Sequence, residues 1–176
     1  MTDAQVQEKF VELAESGQRV DRQLTELARQ IGGLSNKFGS FTEGLAYTSC
    51  KRILKDRFGM EGVSHEVEVE RKDGRNAEYD MIGEANGSRN EVVVVEMKSH
   101  LRDRDIEQFQ KQLLELTDYL PKYRGMKIHG LLAAVYLPKG MAERVAEAGL
   151  YLATGSDENF SLVPPPLGFQ PVTFGG

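Results

Sequence analysis

Residues 77–98 read AEYDMIGEANGSRNEVVVVEMK, from Ala77 to Lys98. The first seven and the last eight residues of this stretch include most of its apolar side chains, and the seven between them include Asn, Gly and Ser. Two apolar runs on either side of such a turn are typical of a β-hairpin. We therefore predict two adjacent antiparallel strands joined by a turn over 84–90.

Three charged side chains are expected to meet on this hairpin. Strand side chains alternate between faces, so Glu96 and Lys98 point the same way, and the hairpin brings Asp80 close to both. Two carboxylates can hold Mg²⁺ while the ion keeps several waters for substrate oxygens. An ammonium group can stabilise charge on an attacking water or on a phosphorane. These residue types in this arrangement suit metal-dependent phosphoryl chemistry.

Asp80, followed by fifteen residues and then Glu96-Met97-Lys98, resembles the signature of the PD-(D/E)XK nuclease superfamily, which has the restriction-endonuclease-like fold. In that superfamily the Asp lies on the second core strand and the Glu-x-Lys on the third. Tyr79 stands where the name of the motif expects Pro, and many members also lack that proline. The resemblance is to members that carry a coiled coil ahead of the nuclease core.

The other predicted elements agree with this resemblance. A helix is expected over 41–58, and alternating apolar residues predict a half-buried strand over 63–70. After the hairpin, apolar residues spaced by three and four predict a helix over 106–120. The near-continuous apolar run over 127–137 indicates a strand buried on both faces, as in a parallel pair. The order αβββαβ over about 41–153 predicts an α/β, restriction-endonuclease-like core with a mixed sheet.

The resemblance also assigns roles to the hairpin residues. It implies that Asp80 and Glu96 bind Mg²⁺, or Mn²⁺ in its place, with the Met97 carbonyl as a third ligand. It implies that Lys98 positions or polarises the attacking water, and that hydrolysis of DNA leaves a 5′-phosphate. The alternative for the same side chains is a structural ion pair between a carboxylate and Lys98.

Residues on the two flanking helices are further candidates for the site. Glu43 lies in the first turn of the helix before the first strand, where many superfamily members place a Glu that points into the active site. An acidic residue there is also favoured by the helix dipole, and both roles can hold together. Gln108 and Lys111 lie on the helix after the Glu-x-Lys strand, where relatives place a supporting Gln or Lys; exposure to solvent is the alternative.

A heptad pattern runs through the first 38 residues. Nine of ten positions at alternating spacings of four and three are apolar, and the exception is Gly17. These positions are Val6, Phe10, Leu13, Gly17, Val20, Leu24, Leu27, Ile31, Leu34 and Phe38. The pattern predicts a coiled coil over 6–38 that forms a homo-oligomer, with a dimer as the expected form. A helix that folds back onto its own domain is the alternative.

The chain is thus predicted to have three parts. Residues 1–38 form an oligomerisation helix, residues 39–155 form the nuclease-like domain, and residues 156–176 form a tail with four of the six prolines. We expect the tail to lie extended along the domain or to be partly disordered.

Composition limits the classes of function. The single cysteine, Cys50, excludes an internal disulfide and is expected to pack within a helix. There is no signal-sequence pattern and no apolar run that could span a bilayer, so we expect a cytoplasmic protein with no membrane partner. No phosphate-binding or dinucleotide-binding glycine motif occurs, and His65, His100 and His129 lack metal-ligand spacing. The net charge of −5 is unusual for a nucleic-acid-binding protein.

Two functions follow from these observations. The first is a Mg²⁺-dependent nuclease that hydrolyses DNA and is oligomerised by its coiled coil. The second is a nuclease fold that binds nucleic acid or protein in an assembly without turnover, which the acidic balance favours. The complete set of Asp80, Glu96 and Lys98 favours the first, because buried charge is costly unless it is paired.

Overall fold

The computed structural model describes residues 44–71, 73–155 and 159–175, together with seven single positions between 7 and 24. The chain divides into two compact units, Met1–Thr42 and Glu43–Gly176. The described positions of the first unit are helical. Most of the predicted coiled coil, and the candidate Glu43, lie outside the described residues.

The second unit is a mixed α/β domain. Residues 44–56 form helix α1. A 3₁₀ turn lies at Pro121–Tyr123. The remaining elements are strands β1 (Gly62–Glu70), β2 (Asn76–Ala85) and β3 (Glu91–His100), helix α2 (Asp103–Tyr119), strand β4 (Lys127–Tyr136), helix α3 (Met141–Glu147), and strands β5 (Tyr151–Gly155) and β6 (Phe160–Leu162).

The six strands form one sheet in the order β1-β2-β3-β4-β5-β6. Neighbours β1, β2 and β3 pair antiparallel, β3, β4 and β5 pair parallel, and β6 returns antiparallel to β5. The predicted hairpin, the mixed sheet and the αβββαβ order are therefore confirmed. The hairpin turn is shorter than predicted, because Glu84 and Ala85 continue the β2 ladder opposite Val92 and Glu91.

Helices pack on the sheet through two separate cores. One core joins α2 and α3 to the sheet, and we call it the α2 core; the other joins α1 to the sheet and is the α1 core. Strand β3 supplies Val92 and Val94 to the α2 core and Val93 and Val95 to the α1 core. This is why its apolar run is unbroken: a strand covered on both faces has no polar side to alternate with.

The end of β4 departs from the prediction of burial on both faces. Ile128 and 131–134 are buried, but Val135 is 41% exposed and Tyr136 is 56% exposed. The last pair between β4 and β5 is Ala134 with Thr154, so the final two residues of β4 are not paired with β5.

The described part of the tail packs on the domain. Phe160 lies in β6 and is buried in the α1 core. Phe174 is buried in the α2 core and forms an isolated antiparallel bridge with Ile128. The tail was expected to lie along the domain or to be partly disordered, and its residues 159–175 lie along the domain. No helix among the described residues is long and apolar enough to cross a membrane.

Candidate active site

Asp80 lies where the regular pairing of β2 with both of its neighbours is interrupted. The β1–β2 ladder skips Glu66 and Asp80, which lie opposite each other, and Glu66 has a positive φ of 48°. Tyr79 packs in the α2 core and Met81 in the α1 core, although residues two apart in a regular strand share a face. The described β2–β3 ladder starts only at Met81, so the two strands separate at Asp80.

This separation opens a groove of about 520 Å³ between β2, β3 and α2. Its walls are mostly polar, and they bring together all the predicted site residues that the structure describes. The lining residues are Asn76, Ala77, Glu78, Tyr79, Asp80, Glu96, Met97, Lys98, Gln108, Lys111, Gln112, Glu115 and Tyr119. The candidates on the hairpin and the candidates on α2 therefore face one space.

Hydrogen bonds hold the two carboxylates in place. Asp80 Oδ2 accepts a hydrogen bond of 2.6 Å from the backbone N–H of Met97. Glu96 Oε1 accepts one of 2.6 Å from Lys98 Nζ, and this contact is also an ion pair. The other carboxylate oxygen of each residue has no hydrogen bond to any residue that the structure describes. Each carboxylate is thus oriented through one oxygen and retains a second as a donor atom for a ligand.

Burial and neighbouring charges shift the pKa values of this pair. Burial raises the pKa of Glu96 above its ordinary value of 4.5, and the negative charge of Asp80 adds to that rise, while Lys98 opposes it. For Lys98, burial acts to lower the pKa, but the hydrogen bond and charge of Glu96, with Asp80 and Asp105, outweigh it and raise the pKa. The ion pair favours the charged form of both residues. For Glu96, burial and the charge of Asp80 outweigh the ion pair, so its pKa still rises.

Asp105 is a neighbour of the site that the sequence did not identify. Its carboxylate accepts a hydrogen bond of 2.8 Å from the N–H of Arg102, the N-cap of α2, and its charge acts on both Glu96 and Lys98. Local spacing in the sequence can indicate an acidic residue in the first turn of a helix. It does not indicate that the start of α2 lies near Glu96 and Lys98 of β3.

Cys50 packs within a helix as predicted, and two of the histidines contact neighbouring groups of the domain. Cys50 is fully buried in the α1 core, and burial, with a contribution from the charge of Asp80, raises its thiol pKa to about 12. His65 contacts the Tyr47 ring, and His129 Nδ1 lies 3.1 Å from a backbone carbonyl oxygen. In the described ranges, no three His, Cys, Asp or Glu side chains are grouped to hold a metal ion.

The donor atoms at the groove nevertheless suit Mg²⁺. They are the carboxylate oxygens of Asp80 and Glu96 and the backbone carbonyl of Met97, all hard oxygen donors. Mg²⁺ usually keeps several waters and is held by one or two protein carboxylates together with substrate phosphates. Two carboxylates with free oxygens at the edge of an open groove fit that requirement.

Solved structures with a similar fold were found. Protein VC1899 from Vibrio cholerae matches 64% of this chain and 29% of its own length, with 20% identity and a TM-score of 0.46. EndoMS bound to double-stranded DNA matches 69% and 45%, with 17% identity and a TM-score of 0.37. A repair endonuclease from Pyrococcus abyssi matches 69% and 48%, with 19% identity and a TM-score of 0.38. This chain therefore spans less than half the length of each.

No family model matches the sequence, and no curated protein matches it. What the solved proteins bind or cleave is a property of those proteins. The element order and the strand pairing of this chain are those of a PD-(D/E)XK-like nuclease fold. Its function is therefore inferred from the residues of the groove.

Proposed function

We propose that this protein is a metal-dependent nuclease that hydrolyses DNA phosphodiester bonds. The observation that carries the proposal is the convergence of Asp80, Glu96 and Lys98 on one polar groove, with one oxygen of each carboxylate left without a hydrogen bond among the described residues. Charged groups brought together at partial burial are costly unless they are paired or serve a site.

The metal would be held by Asp80, Glu96 and the Met97 carbonyl, and Mg²⁺ is the expected ion. When bound, it would supply charge stabilisation at phosphoryl oxygens and lower the pKa of a bound water. The hydrogen bond from the Met97 N–H fixes the Asp80 carboxylate before any ligand arrives. Glu43 stays a candidate for supporting the metal, directly or through water.

Lys98 serves as a hydrogen-bond donor and a positive charge in this proposal. Its pKa is raised above the ordinary value of 10.5, so the amine is protonated at neutral pH and does not accept a proton from water. A protonated amine can orient an attacking water and stabilise negative charge on a phosphoryl oxygen. The product is expected to carry a 5′-phosphate.

Helix α2 forms the other wall of the groove. Gln108 makes no hydrogen bond to any described residue, and its amide is free to contact a phosphate or a sugar. Lys111 lies 3.9 Å from Glu115 in an exposed ion pair, which contributes little to stability and leaves the ammonium accessible to a phosphate. Both residues would position the substrate strand.

A second function is favoured by the Glu96–Lys98 ion pair and by the net charge of −5. In this alternative the pair is structural, and the domain binds nucleic acid or protein in an assembly without hydrolysing it. The two functions differ in whether the groove binds a divalent ion.

Titration calorimetry with Mg²⁺ and Mn²⁺ separates the two functions. We expect one divalent site in the wild-type protein, at least about 10-fold weaker affinity in Asp80→Asn, and unchanged affinity in Asp73→Asn. Asp73 is the control because it is an exposed carboxylate, away from the groove lining, that pairs with Arg75. A folded wild-type protein that binds neither ion would contradict the nuclease proposal and favour the assembly function.

We also propose that residues 6–38 join two chains in a dimer. Val20 and Leu24 belong to the heptad series, are helical, and are 50% and 58% exposed in the single chain. Sedimentation should find a wild-type dimer and a monomeric Val20→Glu/Leu24→Glu variant, because charge at core heptad positions opposes helix pairing. A wild-type monomer would refute the pairing.

A further inference from the structure

An exposed pair of stacked rings lies at the ends of β3 and β4. His100 and Tyr136 are opposite each other in the parallel ladder. Their ring centroids are 4.6 Å apart and their planes differ by 25°, so the rings are stacked. Both residues are exposed, Tyr136 by 56%. Burial of apolar surface therefore does not account for an aromatic side chain at this place.

The ring pair lies on the same side of the sheet as the charged site residues. Glu96, Lys98 and His100 alternate with Met97, which packs against the α1 core, so these three side chains point towards the side of α2. Ala134, the ladder partner of Lys98, belongs to the α2 core and supports this orientation. His100 follows Lys98 by two residues, which is roughly 7 Å along a strand.

We propose that the ring pair stacks on an unpaired base of the DNA strand whose phosphate lies at the groove. This inference rests on the proposed nuclease function and defines its substrate class. In the part of the chain that the structure describes, neither ring is stacked on a third ring, so each has an outer face for a base. Every base has a π-face, so such a platform accepts any sequence.

The substrate class follows from the availability of that base. In continuous duplex DNA each base is already stacked between its neighbours and paired, and it must be extruded before it can lie on a protein ring. A single strand, a frayed end or a branch offers an unpaired base without that cost. The ring pair therefore favours DNA with a single-stranded portion over continuous duplex.

The test measures binding with the full-length protein at low salt. The probe is a single-stranded oligonucleotide that carries one 2-aminopurine, and the corresponding continuous duplex is the comparison. Binding of each DNA is measured once in EDTA and once with Ca²⁺. Tyr136→Leu removes the ring and keeps an apolar side chain, and Tyr136→Phe keeps the ring. Because Tyr136 is exposed, neither change should affect folding.

We expect stacking to quench the 2-aminopurine fluorescence in the wild type and in Tyr136→Phe. Tyr136→Leu should lose the quenching and about 10-fold in affinity for the single strand, with duplex binding unchanged. Three results would overturn the inference. Tyr136→Leu could bind the single strand as tightly as the wild type does, it could lose equal affinity for both DNA forms, or the wild type could fail to bind the single strand.

The failure of this inference can be told apart from the failure of the nuclease function. Quenching by a wild-type protein that hydrolyses no DNA would keep the ring pair as a binding site and refute the nuclease. Metal-dependent cleavage with no role for Tyr136 in single-strand binding would keep the nuclease and refute the ring pair.

Discussion

The Tyr79 side chain is buried beside the catalytic candidates. Tyr79 is 2% exposed, and its hydroxyl oxygen has no hydrogen-bond partner among the described residues. Burial, with smaller contributions from Tyr119 and Glu115, raises its pKa to about 12. A buried hydroxyl without a partner lowers stability, because the group has lost its hydrogen bonds to water.

Tyr79→Phe is therefore expected to raise the free energy of unfolding, by about 1 kcal/mol. Tyr123→Phe is the matched control, since the Tyr123 hydroxyl donates a hydrogen bond of 3.0 Å to Glu84. The same chemical change there should lower the free energy of unfolding by about 1 kcal/mol. Urea denaturation measures both; a loss of stability in Tyr79→Phe would show that the Tyr79 hydroxyl has a partner.

The raised pKa of Glu96 predicts a pH-dependent effect of Glu96→Gln in metal-free protein. A carboxyl whose pKa is higher in the folded state stabilises the fold most at low pH, and this contribution is lost as the pH rises through the folded-state pKa. Gln does not titrate, and Lys98 stays protonated over this range. Between about pH 4 and about pH 7, the stability difference should move in favour of the variant.

Urea denaturation of both proteins across that pH range measures this difference. A difference that is constant, or that moves in favour of the wild type as the pH rises, would mean that the charged form of Glu96 is not disfavoured in the folded protein.

At the scale of residues, the sequence predicts which charged groups meet, from strand alternation and the hairpin pattern. Asp80, Glu96 and Lys98 lie at one groove as the hairpin pattern requires. The interruption of the ladder at Glu66 was not predictable, because the alternating residues of β1 read as a regular strand. A positive φ in a non-glycine residue depends on the tertiary packing of β1 against β2.

At the scale of elements, two glycines allow the helices to approach the sheet closely. A Cβ at Gly83 would lie 2.8 Å from Met60 Cγ, on the side of the α1 core. A Cβ at Gly130 would lie 2.6 Å from both Leu113 Cδ1 and Leu150 Cδ2, on the side of the α2 core. Glycine within a strand commonly marks such a close approach.

Gly130→Ala should lower the free energy of unfolding by about 1–3 kcal/mol, because the added methyl group overpacks the α2 core. Gly44→Ala makes the same change in α1, where no described atom outside the local helix backbone lies within 4 Å of the added Cβ. That variant should gain up to about 1 kcal/mol from helix propensity. Thermal denaturation measures both, and equal effects of the two substitutions would contradict the packing described for Gly130.

Element order was predictable because each core element has a clear hydrophobic period. Helix α2 (Asp103–Tyr119) covers all of the predicted 106–120 except the last residue. Strand β6 was not predicted, since three residues carry too little pattern and the nearby prolines suggest an irregular tail. Its pairing with β5 depends on the burial of Phe160, which is a tertiary contact.

At the scale of the whole molecule, the acidic charge limits how the protein can bind DNA. A net charge of −5 opposes the non-specific part of DNA affinity, which comes from cationic contacts with phosphates. Binding should therefore depend on a divalent ion at the groove and on few cationic contacts, notably Lys98 and Lys111. The oligomer proposed for residues 6–38 would add affinity by presenting two such grooves together.

The most direct measurement is the rate of Mg²⁺-dependent cleavage of single-stranded and branched DNA by the wild type and by Asp80→Asn. We predict cleavage that leaves a 5′-phosphate, and a loss of about 100-fold or more in Asp80→Asn and in Lys98→Met. Wild-type rates are expected in two controls, Asp73→Asn and Lys122→Met; Lys122 is an exposed lysine that pairs with Glu84. A folded wild-type protein that cuts neither DNA with Mg²⁺ or Mn²⁺, or an Asp80→Asn variant that cuts at the wild-type rate, would contradict the nuclease proposal.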